Sequence, residues 1–357
     1  MAEVAEHEAI TLHRLLEWNP REGGFQRNAR RPLETDVVVV DEASMVDVIL
    51  AHHLLQAIPL TATLLLVGDA DQLPSVGPGT VLQDLLAVPT IPVVRLTAIF
   101  RQAAQSRIVA NAHRINRGEF PDISRSPASQ QSDFHFLLEE DPERLQQLVV
   151  ELCSRRLPAR FGFDPIEDIQ VLTPMHRGAV GATQLNGALQ AALNPARADV
   201  MEIMRGGRIF RAGDRVMQMR NDYDKEVYNG DIGRIIRMDP QEQAVIVQVD
   251  GRPVTYDFSE LDELTLAYAA TVHKSQGSEY PCVILPLHTT HYVMLQRNLL
   301  YTAVTRAKRL LILAGTKKAL AIAVKNDATI HRRSRLADRL VAFGKSGQET
   351  AEIASIS

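Results

Sequence analysis

Two short apolar runs, VVVV at 37–40 and LLLV at 64–67, each break off at an acidic residue or at Gly-Asp. β-Branched and leucine runs this short predict buried parallel strands whose functional loops lie at their carboxyl ends. Between them, MVDVILAHHLLQAI (45–58) places apolar residues at helical spacing. The same reading predicts strands at 92–96, 169–172, 282–286 and 310–314, and helices at 105–117, 142–156, 180–193 and 293–306. Strands interleaved with helices indicate an α/β fold. Residues 208–258 break the pattern. RVMQMR, GRIIRMD, QAVIVQVD and RPVTYDF alternate over short lengths and are separated by turn signals such as Asn229-Gly230 and Asp250-Gly251. They predict a small antiparallel barrel inserted into the second α/β domain. Residues 121–133 read as a polar loop and 344–357 as a frayed tail.

Composition narrows the class. With 45% hydrophobic and 23% charged residues, the 357-residue chain reads as a soluble protein of two or three domains. No apolar run approaches the ~20 residues that span a bilayer. The acidic start, MAEVAEHEAITLHRLL, is unlike a signal peptide. Cys153 and Cys282 lack metal-ligand spacing and read as free thiols in a reducing cytoplasm. A net charge of −4 does not suit a domain coated in basic charge for duplex DNA, but it is compatible with a local basic groove.

VVVVDEASM (37–45) delivers Asp41 and Glu42 to a loop. Adjacent carboxylates there suit nucleoside triphosphate hydrolysis, one in the Mg²⁺ shell and one polarising water. The plain alternative is a solvated turn, and a second strand with a similar ending weighs against it. In LLLVGDADQLPSVGPG (64–79), Gln72 follows Gly68-Asp69 and is a candidate sensor of a terminal phosphate; the plain alternative is a Gly/Pro-rich turn with incidental polar side chains, which so particular a string weighs against.

With LTAIFRQ (96–102), ATVHKSQGSEY (270–280) and LLYTAVTRAKRLLIL (299–313), these segments resemble motifs II to VI of superfamily 1 helicases. VLTPMHRGAVGATQLN (171–186) and TLHRLL (11–16) are similar to segments of the RecD-type branch, superfamily 1B. The resemblance runs from about residue 10 to about 320. It implies two RecA-like domains with an SH3-like barrel in the second: 1–120, then 121–205 with 262–343, with the barrel at 206–261. It also implies an ATP-dependent motor moving 5′ to 3′ on single-stranded DNA in recombination or repair, with ATP and Mg²⁺ as cofactors.

By that resemblance Asp41 holds Mg²⁺ through water, Glu42 is the catalytic acid, and Gln72, Arg101 and Arg306 meet the phosphates. Gln276, Gly277 and Glu279 face the nucleotide. Thr271, His273 and Lys274 touch the DNA backbone, although the division of this last motif between DNA and ATP stays open. Thr173, His176 and Arg177 are either phosphate contacts or helix-capping and surface polarity. In the barrel, Arg208, Arg211, Arg215, Arg220, Lys225, Arg234 and Arg237 are candidate backbone contacts, and Tyr223 and Tyr228 candidate stacking residues, with an ordinary solvated face as the alternative.

One motif is missing. A phosphate loop needs G-x-x-x-x-G-K-[ST] between a strand and a helix. The Gly-Lys-Ser at 344–346 has Arg339 where the first Gly belongs. The expectation is therefore a chain that starts after motif Ia. It would leave apolar sheet surface uncovered and hydrolyse ATP poorly alone. Such a chain is a fragment, or a subunit completed by a polypeptide supplying the loop, or a decayed motor kept as a DNA-binding scaffold. Partners would be single-stranded DNA and other recombination or repair subunits, without a membrane. The alternatives are a non-hydrolysing single-stranded DNA-binding subunit and a Pif1/relaxase-type helicase.

Overall fold

Four consecutive valines form a strand, but only alternate ones are buried. Val38 and Val40 face the core, whereas Val37 and Val39 are 54% and 48% exposed. The computed structural model describes residues 9–19, 23–96, 106–124, 132–328 and 334–343. It divides into two units, Met1–Ala98 with Ala328–Ser357, and Ile99–Asp327. Arg101 and the 344–346 segment lie outside the described residues.

In the first unit, α1 (Leu12–Leu15) leads into a short hairpin of β1 (Trp18–Asn19) and β2 (Gly24–Phe25). The valine strand β3 (Val37–Val40) is followed by α2 (Val48–Ala57) and β4 (Thr63–Leu66), and then by α3 (Val81–Leu86). Asp47 caps α2, its Oδ1 accepting the Leu50 N–H at 2.8 Å. β3 and β4 pair in parallel with Val40 beside Leu66. Ala51, Leu54, Ala57, Val81 and Leu82 join Val38 and Val40 in one core. The expectation of buried strands holds for one face only, because the outward residues Val37, Val39 and Leu65 are exposed. The strand predicted at 92–96 does not form. Val94 and Leu96 are 88% and 95% exposed, and among the described residues no strand pairs with this segment. Without a neighbouring ladder, extended backbone gains no hydrogen bonds over water.

In the second unit, α4 (Arg107–Asn116) precedes β5 (Phe134–Leu138), α5 (Pro142–Glu151) and α6 (Leu157–Phe161). A π turn, Leu152–Arg156, joins the last two, so the predicted helix runs five residues further than expected. β6 (Ile169–Thr173) leads to α7 (Ala182–Leu193). Next come β7 (Glu202–Arg205), β8 (Arg208–Arg211), β9 (Arg215–Gln218), β10 (Ile232–Asp239), β11 (Ala244–Val249), β12 (Arg252–Asp257) and β13 (Leu264–Leu266). The second unit finishes with β14 (Ala269–Thr271), β15 (Tyr280–Leu287), α8 (Arg297–Thr305), β16 (Ala307–Gly315) and α9 (Lys317–Lys325).

β14, β6, β15, β16 and β5 form a parallel sheet in that order, with α4 and α9 packed on α8. β12, β11, β10, β9 and β13 form the antiparallel sheet predicted from the alternating segments. Asp250 and Gly251, with φ of 47° and 80°, make the tight β11–β12 turn, as Asp-Gly does when both central residues are left-handed. Asn229-Gly230 instead lies in the longer connection between β9 and β10. Buried side chains from Val171 and Ile284 of the parallel sheet run continuously into Ile235, Val247 and Tyr256 of the antiparallel one. The barrel is thus an outgrowth of the same core.

Candidate functional site

In the first unit, the two strand ends are tied to each other. Val67 N–H donates to the Val40 carbonyl at 2.8 Å, and Ala43 N–H to the Val67 carbonyl at 2.9 Å. The chain then turns at Glu42, whose φ of 50° and ψ of 41° are left-handed, and its N–H donates to Asp41 Oδ1 at 2.9 Å. A non-glycine residue held there costs about 1–2 kcal/mol, a strain typical of functional loops. Gly68 permits the approach, since a Cβ on it would sit 2.9 Å from Ala43 N and 3.1 Å from Ser44 N. Asp69 organises the following turn, accepting from Asp71 N–H at 3.0 Å and from Gln72 Nε2 at 3.3 Å. Asp41, Glu42 and Gln72 therefore share the ends of two hydrogen-bonded strands. This donor set fits Mg²⁺ held through water. Asp41 is exposed, and the nearby Ser44 hydroxyl is buried without a hydrogen-bond partner.

In the second unit, residues 271–280 cross the sheet from edge to edge. Thr271 ends β14 beside Thr173, the last residue of β6. Tyr280 starts β15 beside Ala307, and Cys282 pairs with Ile169, the first residue of β6. The five residues of β6 separate these edges by roughly 13 Å at ~3.3 Å per residue. His273 and Lys274 thus follow the carboxyl edge, and Gln276, Gly277 and Glu279 approach the amino edge.

At the amino edge Arg306 is 4% exposed. It donates from Nε to the Thr302 carbonyl at 3.3 Å and from Nη1 to the Ser278 carbonyl at 3.1 Å, while its own carbonyl accepts Tyr280 N–H at 2.8 Å. Glu279 pairs with Lys308 at 2.9 Å. Gly277 has φ +76° and open space around its Cα. ATVHKSQGSEY and YTAVTRAK, distant in sequence, are joined by these contacts.

At the carboxyl edge Thr173 is fully buried, its hydroxyl donating to the Val180 carbonyl at 2.7 Å. Its hydroxyl is thus held inside the fold, neither capping a helix nor lying at the surface. His176 and Arg177 are exposed, and the carbonyls of Met175 and His176 accept the first N–H groups of α7. Thr271 is buried. Burial pulls the Lys274 ammonium below the usual lysine range.

The barrel's basic residues separate by burial. Arg215 is buried, its guanidinium donating to the carbonyls of Ile166 and Ile169, and burial lowers its pKa. Arg211 is buried against Glu202 at 2.5 Å and the Asn194 carbonyl at 3.0 Å. Arg208 donates to the Leu264 carbonyl, and Lys225 pairs with Glu260 at 2.7 Å. These four side chains are engaged inside the fold, a departure both from candidate backbone contacts and from the solvated face given as the alternative. Their spacing along alternating strands does not reveal which face each one takes. Arg220, Arg234 and Arg237 remain at the surface. Tyr223 and Tyr228 meet edge to face at 6.1 Å.

Sequence reasoning missed the anchor between the sheet and the barrel. Asp214 is fully buried and accepts four hydrogen bonds: from Gln190 at 2.7 Å, Asn194 at 2.7 Å, Tyr268 at 2.8 Å and Arg211 N–H at 2.7 Å. Burial pushes its carboxyl upward and these bonds oppose the push. Asn186 holds both the N–H and the carbonyl of Ala269, at 2.9 and 2.8 Å, at the start of the strand that carries Thr271. The only sequence signal was a run of amides, Asn186, Gln190 and Asn194, on the buried face of α7.

Comparison with known proteins adds lineage. Residues 185–249 match the family described as ATP-dependent RecD-like DNA helicase SH3 domain, residues 1–78 an AAA domain, and residues 266–314 a UvrD-like helicase C-terminal domain. The ATP-dependent RecD2 DNA helicase of Deinococcus radiodurans is 38% identical over 342 residues, covering 96% of this chain and 44% of that protein. The RecBCD enzyme subunit RecD of Mycobacterium tuberculosis is 32% identical, covering 96% of this chain and 60% of that one. The chain thus spans about half the length of these relatives. Among solved structures, Pif1 helicase from Bacteroides in complex with ADP-AlF3 and ssDNA aligns with a TM-score of 0.54 at 19% identity, covering 98% of this chain and 85% of that one, a likeness of fold.

Proposed function

Because this chain belongs to the RecD-like helicase family, we propose that it carries the nucleotide-responding and DNA-gripping residues of an ATP-dependent motor. That motor moves 5′ to 3′ on single-stranded DNA in recombination or repair. The observation that supports this most is the course of residues 271–280, which puts one segment at both edges of the parallel sheet. Gln276, Gly277 and Glu279 at the amino edge, linked to buried Arg306, form the nucleotide side. His273, Lys274 and exposed Arg177 at the carboxyl edge form the DNA side. A change in nucleotide state at Arg306 is transmitted through the Ser278 carbonyl along this segment to Lys274.

In the first unit Asp41 would hold Mg²⁺ through water, Glu42 would orient the attacking water, and Gln72 would report the terminal phosphate. Bound ATP and Mg²⁺ supply the transferable phosphoryl group and the charge that neutralises it. Arg101 is proposed on resemblance alone. Thr173 and Thr271, both buried, shape the DNA side through the backbone around them. The partners are single-stranded DNA and, as for the mycobacterial relative named as a subunit, other recombination or repair proteins. No G-x-x-x-x-G-K-[ST] segment occurs in these 357 residues, so we expect slow ATP turnover by the chain alone unless a partner supplies the loop.

The test is ATP hydrolysis with and without single-stranded DNA, beside Glu42→Gln, together with DNA binding across a salt series. We expect weak turnover and salt-sensitive binding. Robust DNA-stimulated turnover abolished by Glu42→Gln would overturn the expectation of weak activity while supporting the assigned roles. Loss of all binding at low salt would refute the DNA-gripping assignment.

A further inference from the structure

Lys274 does not project from its own segment unaided. Its Nζ donates to Asn229 Oδ1 at 2.6 Å, and Asn229 belongs to the β9–β10 connection of the barrel. That connection is itself braced. Asn229 N–H donates to Asn221 Oδ1 at 2.9 Å, and Asn221 Nδ2 to the Tyr223 hydroxyl at 3.2 Å. On either side, Tyr228 N–H donates to Asp231 Oδ2 at 2.7 Å, and Gly230 N–H to the Gln218 carbonyl at 2.9 Å.

The chemistry of the partner matters. A lysine ammonium carries three N–H donors on a flexible four-carbon stem. A carboxylate at this position would orient the ammonium but cancel its charge. An amide oxygen orients it, uses one donor, and leaves the charge whole. Asn229 is therefore suited to aiming the Lys274 charge at an anion.

We propose that Asn229 is a positioning residue: the barrel connection holds the Lys274 ammonium in place for a backbone phosphate of single-stranded DNA. The proposal rests on the DNA-gripping role of Lys274 given above. It makes the barrel part of the grip through one uncharged hydrogen bond, with no basic surface of its own required.

The experiment is fluorescence anisotropy of a labelled oligothymidine, titrated over a salt series. It uses the wild type, Asn229→Ala, Asn229→Asp, Lys274→Ala and the Asn229→Ala/Lys274→Ala double variant, each checked for an unchanged circular dichroism spectrum. Lys274→Ala should weaken binding and reduce the log–log salt slope by about 0.7, the value for one phosphate contact on a single strand. Asn229→Ala should weaken binding several-fold, and the double variant should match Lys274→Ala alone. Asn229→Asp, which keeps the contact but neutralises the charge, should lose the same salt slope. Effects of Asn229→Ala and Lys274→Ala that multiply in the double variant would overturn the proposal, as would Asn229→Asp binding like the wild type. An unchanged affinity and slope in Lys274→Ala would instead remove the DNA role of Lys274, and the proposal with it.

Discussion

Replacing Asp214 should loosen the barrel from the parallel sheet, and the hydrogen bonds around it set the size of the effect. Oδ1 accepts from Asn194 Nδ2 and Tyr268 OH, and Oδ2 from Gln190 Nε2 and Arg211 N–H, all at 2.7–2.8 Å in a fully buried site. Asp214→Ala strands four donors, each costing about 1–3 kcal/mol when left unpaired. Against this stands the relief of a buried charge, so the net loss should be roughly 3–5 kcal/mol, as when one partner of a buried ionic group is removed. Asp214→Asn keeps one oxygen with its two donors. Its new NH₂ faces the other pair, of which only the Tyr268 hydroxyl can turn to accept it, so a loss of about 1–3 kcal/mol is expected. In a domain of this size the alanine variant should melt roughly 10 °C lower. Far-ultraviolet circular dichroism is the assay, because the single tryptophan, Trp18, lies in the other unit. The alanine variant should also bind single-stranded DNA more weakly, since Asn229 rides on the loosened barrel. A loss below about 1 kcal/mol for Asp214→Ala, or equal losses for alanine and asparagine, would refute this reasoning.

Two further outcomes follow from buried features. His291 is 2% exposed with neither ring nitrogen hydrogen-bonded, and burial beside His288 holds its pKa down to about 4. A histidine in the unfolded chain titrates near ~6.5. The unfolded state therefore binds more protons between these values, and the stability present above about pH 6.5 is lost as pH falls towards 4, on the order of 3 kcal/mol in all. Urea denaturation at several pH values should show that loss in the wild type and a shallower one in His291→Leu; equal slopes would dismiss it. Gly68→Ala places a methyl 2.9 Å from Ala43 N, a backbone atom tied to the Val67 carbonyl. It should destabilise the first unit by about 1–3 kcal/mol, read from the Trp18 fluorescence transition, and an unchanged midpoint would show that the two loops are not in register there.

Several elements were legible because their cause is local. β-Branched and leucine runs marked β3, β4, β6, β15 and β16, and Asp250-Gly251 marked a tight hairpin because both residues take positive φ. The strings around Asp41, Gln72, Lys274 and Arg306 were read without coordinates because each is contiguous. The segment 92–96 was misread because strand formation depends on a neighbour, which is not a property of PVVRL. Burial of Arg211 and Arg215 was invisible for a related reason. Alternation locates two faces but does not say which of them the sheet beneath will cover.

The sequence by itself determined the α/β order, the inserted antiparallel segment and the helicase resemblance, since apolar spacing, turn chemistry and short motifs act over a few residues. Only the tertiary structure decided that residues 271–280 cross from one sheet edge to the other. It alone showed that Arg306 closes on Ser278, and that Asp214 and Asn229 tie the barrel to the sheet. Those contacts join residues 28 to 54 positions apart. The physical reason is that such pairings are set by strand register and shared burial, which no local pattern encodes.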